Sequence, residues 1–410
     1  MAPSWGSPSV RCRAPTAMKD ELLVPAVSGA AQPPLRALFV IDSLGGGGAQ
    51  RQLVNIGLTL HQMGHEVDFF TYARGDLFLR HVQEAGCQVY SRIKSARFSP
   101  GPVLSLRRLM SDKKYDVALS FLPTPSIYTL LAKLTAGQTI PVIISERSNG
   151  QAFLGPPASR GKLLLYRVAD AIVVNSFHLR AFLIARLPWM RDRVHVIYNG
   201  VDLNAFCPSS RQQSVQDTLR ILVVASVSPM KNGLCLIEAL SLLKQNDDIR
   251  PHVTWVGEHQ NHISERRVYS ERMQRSIVQS GLAGQWTWLP PQKDVAVLYQ
   301  THDVLVHPSC VEGLPNVVCE ALASGLPVIV SDTLDHPILV QDGQSGFLFD
   351  WTSPQSLAMS IRRFAGLSAE SRLQMGRCGR AFAESHLSMQ RCARAFECLL
   401  AGVVGTGSTA

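Results

Sequence analysis

Two glutamates eight residues apart, Glu312 and Glu320, have the clearest potential for chemistry in the 410-residue sequence. A strand is predicted to end at His307, and Pro315 can serve as the first residue of a helix. Glu320 then lies in the second turn of this helix, and free N–H groups between Gly313 and Asn316 lie between the two carboxylates. Carboxylates pair with hydroxyls and helix N-termini with phosphates, so the chemistry suits a nucleotide-sugar.

Two other loops offer groups that suit an anion. Gly45 to Gly48 follow the first predicted strand, where glycine lets backbone N–H groups approach a phosphate. A nicotinamide fingerprint would need glycine at Gln50, which disfavours a dinucleotide site and leaves a flexible turn as the alternative. Lys231 stands in the loop after the first strand of the second half and can neutralise a diphosphate, although an isolated lysine is often only solvated.

A third loop begins at Ser145, with Glu146 and Arg147 following a predicted strand of the first half. Either charged side chain could orient an acceptor or a donor phosphate from the opposite side of a cleft. An ordinary buried ion pair is the alternative interpretation.

Short β-branched runs alternate with helical stretches and position these loops. This alternation predicts an α/β fold with two Rossmann-like, doubly wound parallel-sheet domains that face each other across a cleft. The predicted strands are 37–42, 66–72, 88–91, 116–121, 141–145, 171–175 and 194–198, followed by 220–225, 252–256, 286–289, 303–307, 327–331 and 347–350.

The same pattern predicts the domain organisation. Residues 1–34, rich in Pro, Ser, Ala and Gly, are predicted to be a disordered leader. The first domain is predicted at 35–203 and the second at 204–385, with a polar seam between Asn199 and Thr218. A C-terminal helix at 386–401 is predicted to pack back toward the first domain, followed by a disordered tail at 402–410.

Composition excludes several classes of protein. Hydrophobic residues make up 46% and charged residues 17%, which is an ordinary globular balance. No apolar run approaches the roughly 20 residues of a membrane span. Nine cysteines without a Cys-x-x-Cys pair favour reduced thiols in a cytosolic protein.

The positive charge is concentrated in the first half of the chain. Residues 36–203 contain 20 Lys and Arg against 11 Asp and Glu, whereas residues 204–410 contain 17 against 18. Such a half can attract a phosphorylated substrate or an anionic membrane, or simply aid solubility. Nucleic acid is disfavoured because no motif combines aromatic and basic residues.

The sequence resembles the retaining glycosyltransferases of family 4, which have the GT-B fold, from about Leu35 to Leu400. The Glu-x7-Glu pattern at Glu312 and Glu320 carries most of the resemblance. Weaker pieces follow the family's order, namely the glycine run with Gln50, Gly64-His65-Glu66-Val67, Asn199-Gly200-Val201-Asp202, Lys231-Asn232 and Asp342-Gly343-Gln344-Ser345-Gly346.

The resemblance implies roles for these residues. Glu312 would contact hydroxyls of the donor sugar, Glu320 would hold the ribose, and Lys231 would neutralise the leaving diphosphate. Catalytic roles are assigned to Glu312, Lys231, Glu146 and Arg147, and donor binding to Gly46, Gly47, Gly313, Leu314, Pro315, Asn316, Glu320 and Asn199. Family members typically use no metal, and neither a metal nor a cofactor is expected here.

The sequence departs from the family at two positions. An arginine usually stands five residues before the lysine, where this chain has Ser226, and a second glutamate is replaced by Ile338. Arg147 or Arg51 could replace the missing cation. These departures keep a non-catalytic nucleotide-sugar-binding relative open as an alternative, alongside a sugar-nucleotide 2-epimerase of the same fold.

The resulting expectation is a retaining glycosyltransferase that moves a hexose or N-acetylhexosamine from a nucleotide-sugar, with UDP favoured. The acceptor would be a saccharide or a polyprenyl-diphosphate-linked saccharide, in polysaccharide or glycolipid biosynthesis. A cytoplasmic location is expected, with peripheral contact to an anionic membrane through the basic first domain. The helix Leu104 to Lys114, with Arg107, Arg108 and Lys113, is the candidate contact, or else a solvated helix face.

Overall fold

The computed structural model describes residues 33–96, 99–112, 114–136, 140–147, 164–208, 218–246, 249–258 and 264–407. Almost all of the predicted leader, the end of the predicted tail, and Lys113 lie outside these residues. Among the described helices, none combines the length and the apolar content that a bilayer span requires.

The first domain alternates strands with helices from residue 36 to residue 196. Within the described residues its strands form one seven-stranded sheet in the order β3-β2-β1-β4-β5-β6-β7, and every recorded pairing is parallel. The elements are β1 Arg36–Val40, α1 Gly48–Gln62, β2 Glu66–Thr71, α2 Leu79–Glu84, β3 Val89–Ser91, α3 Pro100–Asp112, β4 Val117–Phe121, α4 Pro123–Ala136, β5 Val142–Glu146, β6 Ala171–Val174, α5 Phe177–Arg186 and β7 Val194–Val196.

The second domain repeats the alternation from residue 220 onward. Its described strands form a six-stranded parallel sheet in the order β10-β9-β8-β11-β12-β13. The elements are β8 Arg220–Val224, α6 Gly233–Asn246, β9 His252–Val256, α7 Ser264–Gln279, β10 Trp286–Leu289, α8 Ala296–Thr301, β11 Val304–His307, α9 Asn316–Ala323, β12 Val328–Ser331, α10 His336–Leu339, β13 Gly346–Phe349, α11 Pro354–Ala365, α12 Ala369–His386 and α13 Met389–Gly407.

Apolar residues on both faces explain why the central strands are buried. The strand β4 (Val117–Phe121) is buried throughout, and its neighbours Ile143 and Ile144 in β5 belong to hydrophobic clusters on opposite faces of the sheet. Helix α1 covers one of these faces with Leu53, Ile56 and Leu60, which recur at helical spacing. The predicted fold class, with two Rossmann-like parallel-sheet domains, is therefore confirmed.

The last helix returns to the first domain. Phe396 of α13 lies in the same hydrophobic cluster as Phe39 and Phe121, and its ring centroid is 6.1 Å from that of Phe121. The predicted disordered tail from residue 402 is wrong as far as Gly407, because α13 continues to that residue. Val403 and Val404 extend the helix's contact with the cluster, so packing holds this part of the chain.

The order of strands reverses once in each sheet, between β1 and β4 and between β8 and β11. Ligands of open parallel sheets bind at such reversals, beyond the carboxyl ends of the strands. The glycine run follows β1, the Lys231 loop follows β8, and the Glu312 loop follows β11. The topology thus brings three of the sequence-predicted loops to the two reversal points.

Candidate functional site

Glu312 lies in the loop after β11, and two basic side chains lie beside its oxygen Oε1. Lys231 donates to Oε1 from the loop after β8, and His307 Nε2 lies 3.2 Å from the same atom. Oε2 receives no hydrogen bond from the described residues. Burial acts to raise the pKa of the Glu312 carboxyl, but His307 and the charge of Lys231 outweigh it and hold this pKa well below its usual range.

Glu320 lies in the second turn of α9 and is almost fully buried. Arg51 of α1 donates to its Oε1 across the interface between the domains, and the hydroxyl of Tyr299 donates to Oε2 at 2.9 Å. Burial raises the pKa of Glu320, while Arg51 and Tyr299 partly oppose the rise. Both oxygens of this carboxylate are therefore occupied.

Two helix N-termini meet between these carboxylates. Helix α9 begins at Asn316 with Pro315 as its N-cap, so Pro315 precedes the helix and is not its first residue. Helix α1 begins at Gly48, where an added Cβ would lie 3.1 Å from the Asn316 side-chain nitrogen. Neither N-terminus has a side-chain cap, and uncapped N-termini have free N–H groups and a partial positive charge that suit an anion.

The predicted glycines lie in the loops that precede α1 and α9. Gly46 and Gly47 are exposed just before α1, while Gly313 lies against the first domain. An added Cβ at Gly313 would come within 3.0 Å of the Arg147 carbonyl oxygen, which explains why this position needs glycine. Leu314 is buried in the hydrophobic cluster of the second domain and anchors the loop between Glu312 and α9.

Arg147 supports the site through a polar chain. Its Nη1 donates to Asn199, whose side-chain nitrogen donates to Asn316 Oδ1 at 2.6 Å. The guanidinium also lies 4.1 Å from the ring centroid of Phe121, and burial lowers the pKa of Arg147 to about 10. Arg147 therefore stays charged at neutral pH and supports Asn199 and, through it, the N-terminus of α9.

The structure does not place Glu146 in the cleft as the sequence analysis expected, and the alternative, an ion pair with Arg147, is not formed either. Glu146 is fully buried and accepts a hydrogen bond from Tyr166, which belongs to the hydrophobic cluster on one face of the first sheet. Ser145 accepts a hydrogen bond from Arg147 instead, at 3.0 Å. Successive strand residues point to opposite faces, and this alternation separates the two charged side chains.

Asp335 is a buried carboxylate that the sequence analysis did not identify. It follows β12 of the second domain and accepts hydrogen bonds from the N–H groups of Phe177 and His178 at 2.7 and 3.0 Å, and from the Tyr198 hydroxyl at 2.8 Å. Phe177 and His178 begin α5 of the first domain, so Asp335 caps a helix across the interface. Its position after a strand could have drawn attention, although its partners could not be read from sequence.

A buried pair of histidines beside Glu312 was also missed by the sequence analysis. His307 and His336 are almost fully buried, with ring centroids 5.6 Å apart. Burial lowers the pKa of both imidazoles, so both are mainly neutral at pH 7. Ile338, at a position of departure from the family, is buried in α10 and contributes only to packing.

Two family models match the chain, one on each domain. "Glycosyltransferase Family 4" matches residues 46–205, and "Glycosyl transferases group 1" matches residues 209–382. Together these matches account for most of the chain and place it among the GT4-type glycosyltransferases.

Curated relatives carry glycosyltransferase names. A D-inositol 3-phosphate glycosyltransferase of Streptomyces avermitilis is 29% identical over 235 residues, which are 54% of this chain and 50% of the relative. The chain thus spans about half the length of that relative. The GalNAc-alpha-(1->4)-GalNAc-alpha-(1->3)-diNAcBac-PP-undecaprenol alpha-1,4-N-acetyl-D-galactosaminyltransferase of Campylobacter jejuni is 26% identical over 341 residues, which are 80% of this chain and 88% of the relative.

A solved structure shares the whole architecture. Alr3699/HepE of Anabaena, solved in complex with UDP, superposes with a TM-score of 0.77 at 20% identity and covers 90% of this chain and 100% of its own. The arrangement of two facing Rossmann-like domains is therefore the GT-B fold, as the sequence predicts.

Proposed function

We propose that the protein is a retaining glycosyltransferase that moves a hexose or an N-acetylhexosamine from a UDP-sugar to a saccharide or lipid-linked saccharide. The observation that carries the proposal is the pair Glu312 and Glu320, which flank the uncapped N-terminus of α9 where the two domains meet. One carboxylate suits the sugar, the other suits the ribose, and the amides and cations between them suit the diphosphate.

The state of Glu312 supports a role in binding the donor sugar. Its low pKa keeps the carboxylate ionised through the physiological range. Lys231 donates to Oε1, which leaves Oε2 to accept hydrogen bonds from hydroxyls of the sugar. Such hydrogen bonds to a charged group fix the orientation of the sugar over the diphosphate.

Transfer then requires that charge on the leaving diphosphate be stabilised. The bond between the anomeric carbon and the phosphate oxygen breaks, and the acceptor oxygen forms its bond on the same face. The acceptor's proton passes to the leaving phosphate oxygen. Because the acceptor attacks the anomeric carbon directly, no enzyme nucleophile is needed. Lys231 and the amides at the starts of α1 and α9 are fixed before the reaction, and one such donor contributes about 3 to 4 kcal/mol to lowering the barrier.

The donor is proposed as a UDP-sugar because the similar Anabaena structure is a complex with UDP. A screen of thermal stabilisation with UDP-, GDP- and ADP-sugars tests this. Wild type should be stabilised by a UDP-sugar and the Glu320→Ala variant should not. The matched control Glu84→Ala changes an exposed carboxylate on α2 and should respond as wild type does.

Product analysis separates transfer from the alternatives. Release of UDP that depends on an added saccharide supports transfer, whereas conversion of the UDP-sugar to its 2-epimer without an acceptor would show an epimerase. Binding of a UDP-sugar without turnover on any acceptor would show a non-catalytic relative, and no stabilisation by any nucleotide-sugar would contradict the proposal.

The acceptor is proposed to dock on the first domain, near α3. A cavity of about 320 Å³ lies at the carboxyl end of β3 beside α3, lined by Tyr90, Arg92 and Arg108 among others. The Campylobacter relative named above has an undecaprenol-linked saccharide in its name, which fits a phosphate-bearing acceptor at a basic surface.

Peripheral membrane contact is proposed through the exposed Arg107 and Arg108 of α3. Sedimentation with phosphatidylglycerol vesicles tests it. The Arg107→Ala, Arg108→Ala double variant should lose binding, while Arg266→Ala, Arg267→Ala on α7 should not. Equal binding by both variants and wild type would contradict this contact.

A further inference from the structure

The two oxygens of Glu320 have partners that differ in solvent exposure. Tyr299, which donates to Oε2, is only 1% exposed, and burial beside Glu320 raises its pKa far above the usual value. The tyrosine therefore keeps its proton and its position. Arg51, which donates to Oε1, has a side chain that is 38% exposed, so this partner can be exchanged for a ligand.

Arg51 is attached where a diphosphate would lie. It stands in the first turn of α1, where its N–H donates to the Gly47 carbonyl at 3.0 Å. The start of α1 lies beside Asn316 at the start of α9, so the guanidinium extends from one uncapped helix N-terminus across the other. Among the described residues, Glu320 is its recorded acidic partner.

The two acids of the site are already paired without a ligand. Lys231 pairs with Glu312 and Arg51 pairs with Glu320, so each acid already has one cation. A diphosphate brings at least two negative charges into this partly buried space, where an uncompensated charge is costly. Binding is therefore favoured if the ligand frees one of these cations.

We propose that Arg51 is exchanged during donor binding. The ribose diol takes Oε1 of Glu320, and the released Arg51 then contacts the diphosphate from the first domain. This inference rests on the proposed function and adds a residue that positions the leaving group. Because Glu320 is almost fully buried, the diol hydroxyls must replace Arg51 at Oε1 as the pair opens, so that the carboxylate is not left without a partner.

Comparison of uridine with UDP isolates the exchange, because uridine has the diol and lacks the phosphates. UDP binding is measured by isothermal titration and uridine binding by ligand-observed NMR, both at pH 8, because a higher pH favours the ionised form of Glu320, whose pKa is raised by burial. Arg51→Ala should bind UDP about tenfold or more weakly, since a hydrogen bond to a charged group contributes roughly 1.5 to 3 kcal/mol. The same variant should bind uridine more tightly than wild type does, since the diol no longer competes with Arg51 for Oε1 of Glu320.

Two further variants control the experiment. Arg51→Lys keeps the charge and should bind UDP with an affinity between those of wild type and Arg51→Ala. Arg80→Ala removes an exposed arginine that pairs with Glu84 on α2, and it should bind both ligands as wild type does. Melting temperatures of all variants show that each is folded.

The outcomes separate this inference from the proposed function. If Arg51→Ala weakens uridine and UDP by the same factor, or changes neither, Arg51 does not exchange and the inference is overturned while nucleotide binding stands. If wild type binds neither ligand, both the inference and the proposed function are overturned. Opposite changes for the two ligands support the exchange.

Discussion

Replacement of Asp335 by asparagine should weaken the junction between the two domains. The carboxylate accepts three hydrogen bonds, from the N–H groups of Phe177 and His178 and from the Tyr198 hydroxyl. An asparagine offers one oxygen and one NH₂ group, so in either orientation its NH₂ group faces a donor of the first domain. The variant therefore loses at least one hydrogen bond and gains a contact between two donors.

The size of the effect follows from these contacts. A hydrogen bond to a charged group contributes about 1.5 to 3 kcal/mol, and a negative charge at a partly buried helix N-terminus contributes up to about 2 kcal/mol. Burial raises the pKa of Asp335, so the neutral amide recovers part of this loss by avoiding the cost of a buried charge. The expected net loss is about 2 to 4 kcal/mol of unfolding free energy.

Denaturant unfolding and hydrogen exchange together measure the loss. The Asp335→Asn variant should unfold at lower urea concentration, and the amides of Phe177 and His178 should exchange faster than in wild type. Ser176→Ala is the matched control, because Ser176 caps the same helix α5 from within the first domain by accepting from the Leu179 N–H at 3.1 Å. Loss of that cap should cost about 1 kcal/mol.

The comparison of the two variants decides the outcome. If Asp335→Asn unfolds within about 0.5 kcal/mol of wild type, or costs no more than Ser176→Ala, the carboxylate does not hold the domains together and the reasoning is refuted.

Three other predictions concern the two carboxylates. Lys231→Ala should lower kcat about 10²- to 10³-fold because one fixed cation at the leaving diphosphate is lost; an unchanged kcat with an unchanged melting temperature would contradict this role. His307→Phe should lower kcat about tenfold without changing UDP affinity, because the ring nitrogen 3.2 Å from Glu312 Oε1 is lost; His307→Gln, which keeps an N–H group, should recover most of the activity. Arg51→Ala should move the acid limb of the kcat/KM profile to higher pH. Glu320 must be ionised to accept the ribose, and loss of the nearby cation raises its pKa, which burial has already raised. An acid limb at the wild-type pH would exclude Glu320 as its origin.

The two domains and the loops of the site could be predicted because they depend on local patterns. Buried parallel strands are near-continuous apolar runs, as in Val117–Phe121 with its single Ser120, and residues directly after such strands lie at the ligand-binding edge. Lys231, Glu312 and Glu320 were found by this rule together with the family resemblance. Their contacts with His307 and Tyr299 depend on packing within the second domain, which spacing alone does not give.

Contacts between the domains could not be predicted from the sequence. The pairs Arg51 with Glu320 and Asp335 with Phe177 join residues more than 150 positions apart, and they depend on how two separately folded sheets face each other. The position of Glu146, by contrast, could have been predicted. Successive strand residues point to opposite faces, so the Glu146 side chain points away from the face on which Ser145 and Arg147 form their hydrogen bond.

Glu312 and Glu320 show how one residue type acquires two roles within eight positions. Glu312 stands beside a lysine and a neutral histidine from its own domain, so its pKa falls and one oxygen remains for a ligand. Glu320 is more deeply buried, its pKa is raised, and its one exchangeable partner comes from the other domain. If a donor replaces Arg51 at Glu320 as proposed, its binding alters a contact between the domains. The proposed exchange thus links occupation by the nucleotide to the relative position of the two domains, whereas the contacts of Glu312 with Lys231 and His307 stay within one domain.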